Sequence, residues 1–205
     1  MAGPRLEFWY EFASTYSYLS AMRIEREAEA AGVEVVWRPF LLGPILASQG
    51  WTTSPFNVYP AKGRHMWRDV EREAASLGLT FHRPDPFPQN SLLAARIALF
   101  GLRHAGWGPA FSKSVFLAEF GQGRSISDPD TMASLLIDLA LEPAQVIAEA
   151  QSDENKLRLR AQCDEARERG IFGSPTFIAP DGEMFWGNDR LERARSWAAR
   201  TGTAP

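Results

Sequence analysis

The chain has 205 residues, 45% hydrophobic and 23% charged, enough for one folded domain with a large insertion and too ordinary in composition for a disordered segment. A formal net charge of −3, with 22 basic residues scattered among 25 acidic ones, leaves no electrostatic footprint for nucleic acid or an anionic membrane surface. A single cysteine, Cys163, excludes an internal disulfide and a C-x-x-C motif, and with them a dithiol oxidoreductase.

Residues 1–7 lack the basic-then-apolar pattern of a signal peptide, and no run is long enough to span a bilayer, so a cytoplasmic location is expected. Residues 6–10, Leu-Glu-Phe-Trp-Tyr, read as a strand. Residues 11–20 lead directly into a helix that Gly32 closes, and residues 33–40 read as a second strand. Ser14 stands at the start of that helix, where unpaired N–H groups and the positive end of the helix dipole favour anions and thiolates. A serine there also serves as an ordinary helix cap.

From residue 43 to 168 helical periodicity dominates. Residues 64–77 are bounded by Gly78, residues 90–105 carry Leu93, Ile97 and Phe100 on one face, and residues 109–120 end at Gly121. Asp128-Pro129 caps a helix that ends near Leu141, and Glu142-Pro143 opens a short one. Pro84, Pro86 and Pro88 make an extended loop incompatible with helix, suited to wall one side of a cleft. In the segment 153–169, Cys163 shares an apolar stripe with Leu159 and Ala166, the position of a small core residue. His65, His82 and His104 lack metal-site spacing, so no metal is expected, and the dispersed glycines give no support to nucleotide binding.

Residues 176–179 read as a strand, Pro180-Asp181-Gly182 as a turn and residues 183–186 as the returning strand. Pro175 opens the hairpin. It is either a cis-proline, which leaves the Ser174 backbone groups to pair with an extended ligand, or an ordinary trans proline on a hairpin edge. Asn188 and Asp189 precede a last helix over residues 191–200. The whole reads as an α/β fold in which residues 1–42 and 169–205 form one domain and residues 43–168 an inserted, all-helical subdomain.

Four segments carry a family resemblance. They are Phe12-Ala-Ser-Thr-Tyr-Ser-Tyr-Leu, Gly173-Ser-Pro-Thr-Phe, Phe185-Trp-Gly-Asn-Asp-Arg-Leu, and the stretch Asn57-Val-Tyr-Pro-Ala-Lys-Gly-Arg-His-Met-Trp-Arg-Asp-Val. In this order and separation they resemble the 2-hydroxychromene-2-carboxylate isomerases and the related kappa-class glutathione transferases. Two positions depart from the family pattern: Thr15, where proline often follows the reactive serine, and Ser174, where valine or leucine often precedes the proline.

The resemblance implies a thioredoxin-like fold with a large all-helical insertion, and a glutathione-dependent isomerase acting on a small aromatic carboxylate. Glutathione would lie along Ser174 and Pro175, with Asn188 and Asp189 meeting its γ-glutamyl end, although both also suit a helix cap. Ser14 would be catalytic as a hydrogen-bond donor to the glutathione sulfur, not as a nucleophile. Asn57 and Lys62 would face the ligands, with Trp67, Phe87 and Trp51 supplying an aromatic surface. The plainer reading makes Lys62, Arg64 and Arg68 a solvated helix face and places the aromatics in the core. A homodimer is expected from the resemblance. The alternatives are a kappa-like transferase or peroxidase using the same thiolate, and a non-catalytic thioredoxin-like binding module.

Overall fold

Alternation along the first strand decides both faces of the sheet. In β1 (Arg5–Tyr10), Leu6, Phe8 and Tyr10 point to one face and are fully buried, while Trp9 points to the other and is buried as well. The computed structural model describes residues 3–104 and 106–202, so residues 1, 2, 105 and 203–205 lie outside it, including part of the N-terminal segment and the predicted helix residue at 105. β1 pairs in parallel with β2 (Glu34–Pro39) and antiparallel with β3 (Thr176–Ile178), which forms a hairpin with β4 (Met184–Trp186). The sheet order is β2-β1-β3-β4.

One row of register partners crosses all four strands: Trp37, Phe8, Phe177 and Phe185. The Phe8 ring lies 5.1 Å from Trp37 edge-on and 5.6 Å from Phe177 in a stack. Such aromatic pairs add roughly 0.5–1.5 kcal/mol each beyond the area they bury. They also pin the register, since a one-residue slip would turn every side chain to the opposite face.

The parallel connection from β1 to β2 runs through α1 (Thr15–Ala21) and α2 (Ile24–Glu29), closed by Gly32 at φ 66°. One helix was expected over this span and two are present. The break falls at Arg23, whose backbone leaves helical geometry (φ −129°, ψ −16°) as its side chain turns inward. Among the described residues eight α-helices separate β2 from β3: α3 (Leu42–Ser48), α4 (Pro55–Val58), α5 (Pro60–Ser76), α6 (Leu92–Arg103), α7 (Gly108–Phe116), α8 (Pro129–Asp138), α9 (Pro143–Ala150) and α10 (Asp153–Glu168). The final helix is α11 (Leu191–Thr201).

The helix expected to run to residue 120 instead changes at Leu117 into a π turn through Gly121. The main core lies between the helices and the face carrying Phe8 and Tyr10. On the second face Trp9 and Ile178 pack with Phe40, Ile45 of α3, Ala166 of α10 and Ile171, with Cys163 beside them. No helix among the described residues is long and apolar enough to cross a membrane. In length and composition the described helices are those of a packed helical layer.

Glu119, in the π turn, is fully buried, and neither carboxylate oxygen has a hydrogen-bond partner. Burial, with a smaller contribution from the charge of Glu11, pushes its carboxyl well above the usual carboxylate range. A raised carboxyl pKa means that the folded protein holds this proton after the unfolded chain has lost it. Stability from Glu119 is therefore complete below the free glutamate value of about 4.3 and is lost as pH rises above it. Glu119→Gln is expected to raise the thermal midpoint at neutral pH, with the gain over wild type shrinking toward pH ~4. Thermal melts of the two proteins across that range check it.

Candidate active site

The register that aligns the aromatic row also places the C-terminal end of β1 beside the entry to β3, because Trp9 faces Thr176. One step further along, the Glu11 amide donates to the Ser174 hydroxyl at 2.8 Å. The Ser174–Pro175 bond is cis. Ser14 is the N-cap of α1: its hydroxyl accepts from the Ser17 amide at 3.2 Å and donates to the Ser174 carbonyl at 3.0 Å. The Ser17 hydroxyl meets the Ser174 hydroxyl at 2.7 Å. Three hydroxyls and one carbonyl thus converge where the two ends of the sequence meet.

The Ser174 carbonyl, expected to be available to a ligand, is engaged by the Ser14 hydroxyl at the helix start. The hydroxyl of Ser174, a departure from the resembled pattern, binds both Glu11 and Ser17.

Glu11 joins the surrounding segments. Its carboxylate accepts from the Leu42 amide at 2.9 Å, from the Ala13 amide at 3.4 Å and from the Ser91 hydroxyl. It is 8% exposed, and burial raises its pKa against the opposing effect of those hydrogen bonds. A single side chain therefore links the ends of β1, the entry to α3 and the start of α6. Nothing in the sequence around Glu11 signals this, because its partners are 31 and 80 residues away.

Above this node opens a cleft of about 1330 Å³. Ser14, Ser174 and Glu11 line its floor, α3 and the segment after it contribute Leu42, Leu46 and Trp51, and α5 contributes Lys62 and His65. Phe87 and Pro88 bring the proline-rich loop in as one wall. Phe172 and Trp186, in edge-on contact at 4.9 Å and about half exposed, form the rim nearest Ser174. Trp186 approaches so closely that a Cβ on Gly173 would stand 2.2 Å from its indole nitrogen, which accounts for glycine there. The Tyr16 hydroxyl donates to Asp69 at 2.9 Å, tying α1 to α5 at the cleft edge. Burial, aided by the neighbouring carboxylates, raises the phenol's pKa, so it remains a donor. Sequence reasoning missed Glu11, Tyr16, Phe172 and Trp186 as cleft residues, and Ser17 as a partner of Ser174 beneath them.

Of the residues expected to face a ligand, Ser14, Lys62, Phe87, Ser174, Asn188 and Asp189 line the cleft. Pro175 is buried beneath it. Asn57 departs from expectation: its amide donates to Thr53 at 3.1 Å and to the Phe87 carbonyl at 2.9 Å, bracing the proline-rich loop from outside. Trp67 departs too, packing behind Phe87 (4.7 Å, edge-on) with the Arg83 guanidinium 4.7 Å from its ring centroid. Both lie where the cleft wall needs support, which residue type alone does not distinguish from facing inward. Lys62 holds its ammonium 5.4 Å from the Phe56 ring centroid. Asn188 is among the cleft-lining residues, but its side-chain oxygen is held by Ser20 and Arg23.

Cys163 lies outside the cleft lining, and its sulfur accepts from the Leu41 amide at 3.3 Å. Burial pushes its thiol pKa up, the opposite of what a reactive thiolate requires.

The chain is similar over nearly its whole length to proteins of known class. The 2-hydroxychromene-2-carboxylate isomerase of Sphingobium xenophagum is 26% identical over 193 residues, 94% of this chain and 96% of the relative. Glutathione S-transferase kappa 2 of Caenorhabditis elegans is 23% identical, with 98% and 94% covered. A solved structure of a 2-hydroxychromene-2-carboxylate isomerase superposes with a TM-score of 0.85 at 25% identity, covering 96% of this chain and 95% of that one. The model of the DSBA-like thioredoxin domain matches residues 5–197, and the chain belongs to that family.

Proposed function

We propose that the protein is a glutathione-dependent isomerase of the 2-hydroxychromene-2-carboxylate type. The observation that carries this reading is the site at Ser14. At the head of α1, beside a cis-proline, two hydroxyls, Ser14 and Ser17, converge on Ser174, and the chain's one thiol is elsewhere with a raised pKa. Such a site can stabilise a sulfur anion, and the sulfur has to arrive with a ligand. The relatives named isomerase and glutathione transferase point to the same chemistry.

Glutathione, when bound, supplies a thiolate that adds reversibly to a conjugated aromatic carboxylate, lets the former double bond rotate, and leaves unchanged. The remaining work falls to the chain's own residues. Ser14 donates its hydroxyl proton in a hydrogen bond to the sulfur, turning from the Ser174 carbonyl that it meets at 3.0 Å. Among the described residues no histidine is hydrogen-bonded to Ser14 to make it a nucleophile; His65 is the histidine among the cleft-lining residues and belongs to α5. The backbone of Ser174 offers pairing to an extended peptide in the manner of an added strand. Asp189, exposed at the cleft edge, suits an ammonium group. Lys62 suits the substrate carboxylate, and Leu42, Leu46, Trp51 and Phe87 provide an apolar wall that excludes water from the reacting atoms.

A hydrogen bond to a charged sulfur contributes about 1.5–3 kcal/mol. An ordinary thiol titrates near 8.5, so at about 1.36 kcal/mol per pH unit that bond brings the thiolate into the majority close to neutrality. Ultraviolet titration of glutathione with the protein is expected to reveal thiolate at neutral pH, and Ser14→Ala to lose most of it. No thiolate at saturating glutathione would overturn the reading. Lys62→Ala is expected to raise the Michaelis constant for a chromene carboxylate by about tenfold or more, an effect of roughly 1.4 kcal/mol, with smaller change in turnover. The kappa-class relative favours a second reading, a conjugating transferase. Total glutathione separates the two: an isomerase leaves it constant, a transferase consumes it in proportion to product.

A further inference from the structure

Arg23 stands at the break between α1 and α2 with 9% of its surface exposed, an uncommon burial for a guanidinium. Its Nη2 donates to the main-chain carbonyl of Asn188 at 2.8 Å and to the Asn188 Oδ1 at 3.1 Å, and its Nε reaches the same Oδ1 at 3.4 Å. The Ser20 hydroxyl adds a further donor to Oδ1 at 2.9 Å, and Nη1 pairs with Glu192. Asn188 is thereby gripped by both of its carbonyls and is 6% exposed.

Asn188 opens the short 3-10 turn Asn188–Arg190 that leads into α11, and this turn lines the cleft. Gly187, just before it, has φ 109°, and a Cβ there would stand 2.7 Å from the Asp189 carboxylate, so the entry to the turn favours glycine. Burying a guanidinium costs several kcal/mol unless its donors are matched, and an apolar side chain would fill the same space at no such cost. What the planar fork adds is a defined position for its acceptor. The break in the first helix, which sequence periodicity does not anticipate, brings the fork to that acceptor.

We propose that Arg23 is a positioning residue for the γ-glutamyl end of glutathione: acting through Asn188, it holds the turn that presents Asp189 and its neighbouring amides to the cleft. The inference rests on the glutathione reading above. The side-chain bonds of Arg23 go to Asn188 and Glu192, whereas the hydroxyl cluster at Ser14 is bonded among Ser14, Ser17 and Ser174. Loosening the turn therefore weakens the hold on the γ-glutamyl group and leaves the sulfur's environment alone.

Calorimetric binding of glutathione and of cysteinylglycine, which lacks the γ-glutamyl group, tests this in the full chain, with the bound thiol's pKa followed by ultraviolet absorbance. Glutathione binding by the wild type is measured first, and its absence would overturn the functional reading itself. With binding established, Arg23→Lys is expected to weaken glutathione about tenfold, or roughly 1.4 kcal/mol, while cysteinylglycine affinity and the bound thiol's pKa stay at wild-type values. Ser20→Ala is expected to shift glutathione affinity in the same direction by less, and Glu192→Gln, which keeps the contacts to Asn188, to bind as wild type. A folded Arg23→Lys protein that binds glutathione like wild type, or that loses glutathione and cysteinylglycine equally, would overturn the proposal. If Arg23→Lys does not fold, Ser20→Ala decides, and unchanged glutathione affinity in that variant would overturn it.

Discussion

The row of aromatic partners across the sheet is the constraint from which the rest follows. Trp37, Phe8, Phe177 and Phe185 meet in one register line, although they come from segments separated by the whole helical region between β2 and β3. Rings of this size resist a slipped pairing, because the slip would carry them all to the opposite face. With the register held, Trp9 faces Thr176, and Glu11 and Ser14 arrive beside Ser174. The chemistry of the site is thus a consequence of apolar packing a few ångströms away.

Around that junction the polar groups are few and shared. Ser174 receives the Glu11 amide, meets the Ser17 hydroxyl and accepts from Ser14, so one residue coordinates the helix start with the strand end. Glu11 performs a similar task for α3 and α6, using its buried carboxylate to accept from Leu42 and Ser91. In a low-dielectric setting such bonds are stronger than in water, and a lost partner is correspondingly costly. The cleft floor is therefore held rigidly, while its rim at Phe172 and Trp186 consists of half-exposed rings.

Two buried charged residue types are treated in opposite ways. Arg23 has its donors matched by Asn188 and Glu192, and the bonds to Asn188 hold a turn at the cleft. Glu119 has neither oxygen matched and sits in a π turn that interrupts the end of α7, a geometry often found at functional sites. Its raised pKa follows from burial, and the neutral acid is the form that the interior tolerates.

Local pattern was sufficient for the strands, for most of the helices and for the family. The aromatic-rich run at residues 6–10 identified β1, the turn residues identified the hairpin, and the proline–helix and glycine–end pairs bounded α5, α6, α8 and α9 to within a few residues. Ser14 and Ser174 were legible because each stands beside a local landmark, a helix start and a strand-opening proline. The helix break at Arg23, the π turn, the orientations of Asn57 and Trp67, and the node at Glu11 were not legible. Each depends on a partner far away in sequence: Asn188 for Arg23, Phe87 for Asn57 and Trp67, Leu42 and Ser91 for Glu11. The sequence by itself determined which segments bury an apolar face and where the chain can turn, since these preferences act over a few residues. Only the tertiary structure decided which polar groups meet across the cleft, because hydrogen-bond direction and reach exist only once the distant segments have packed.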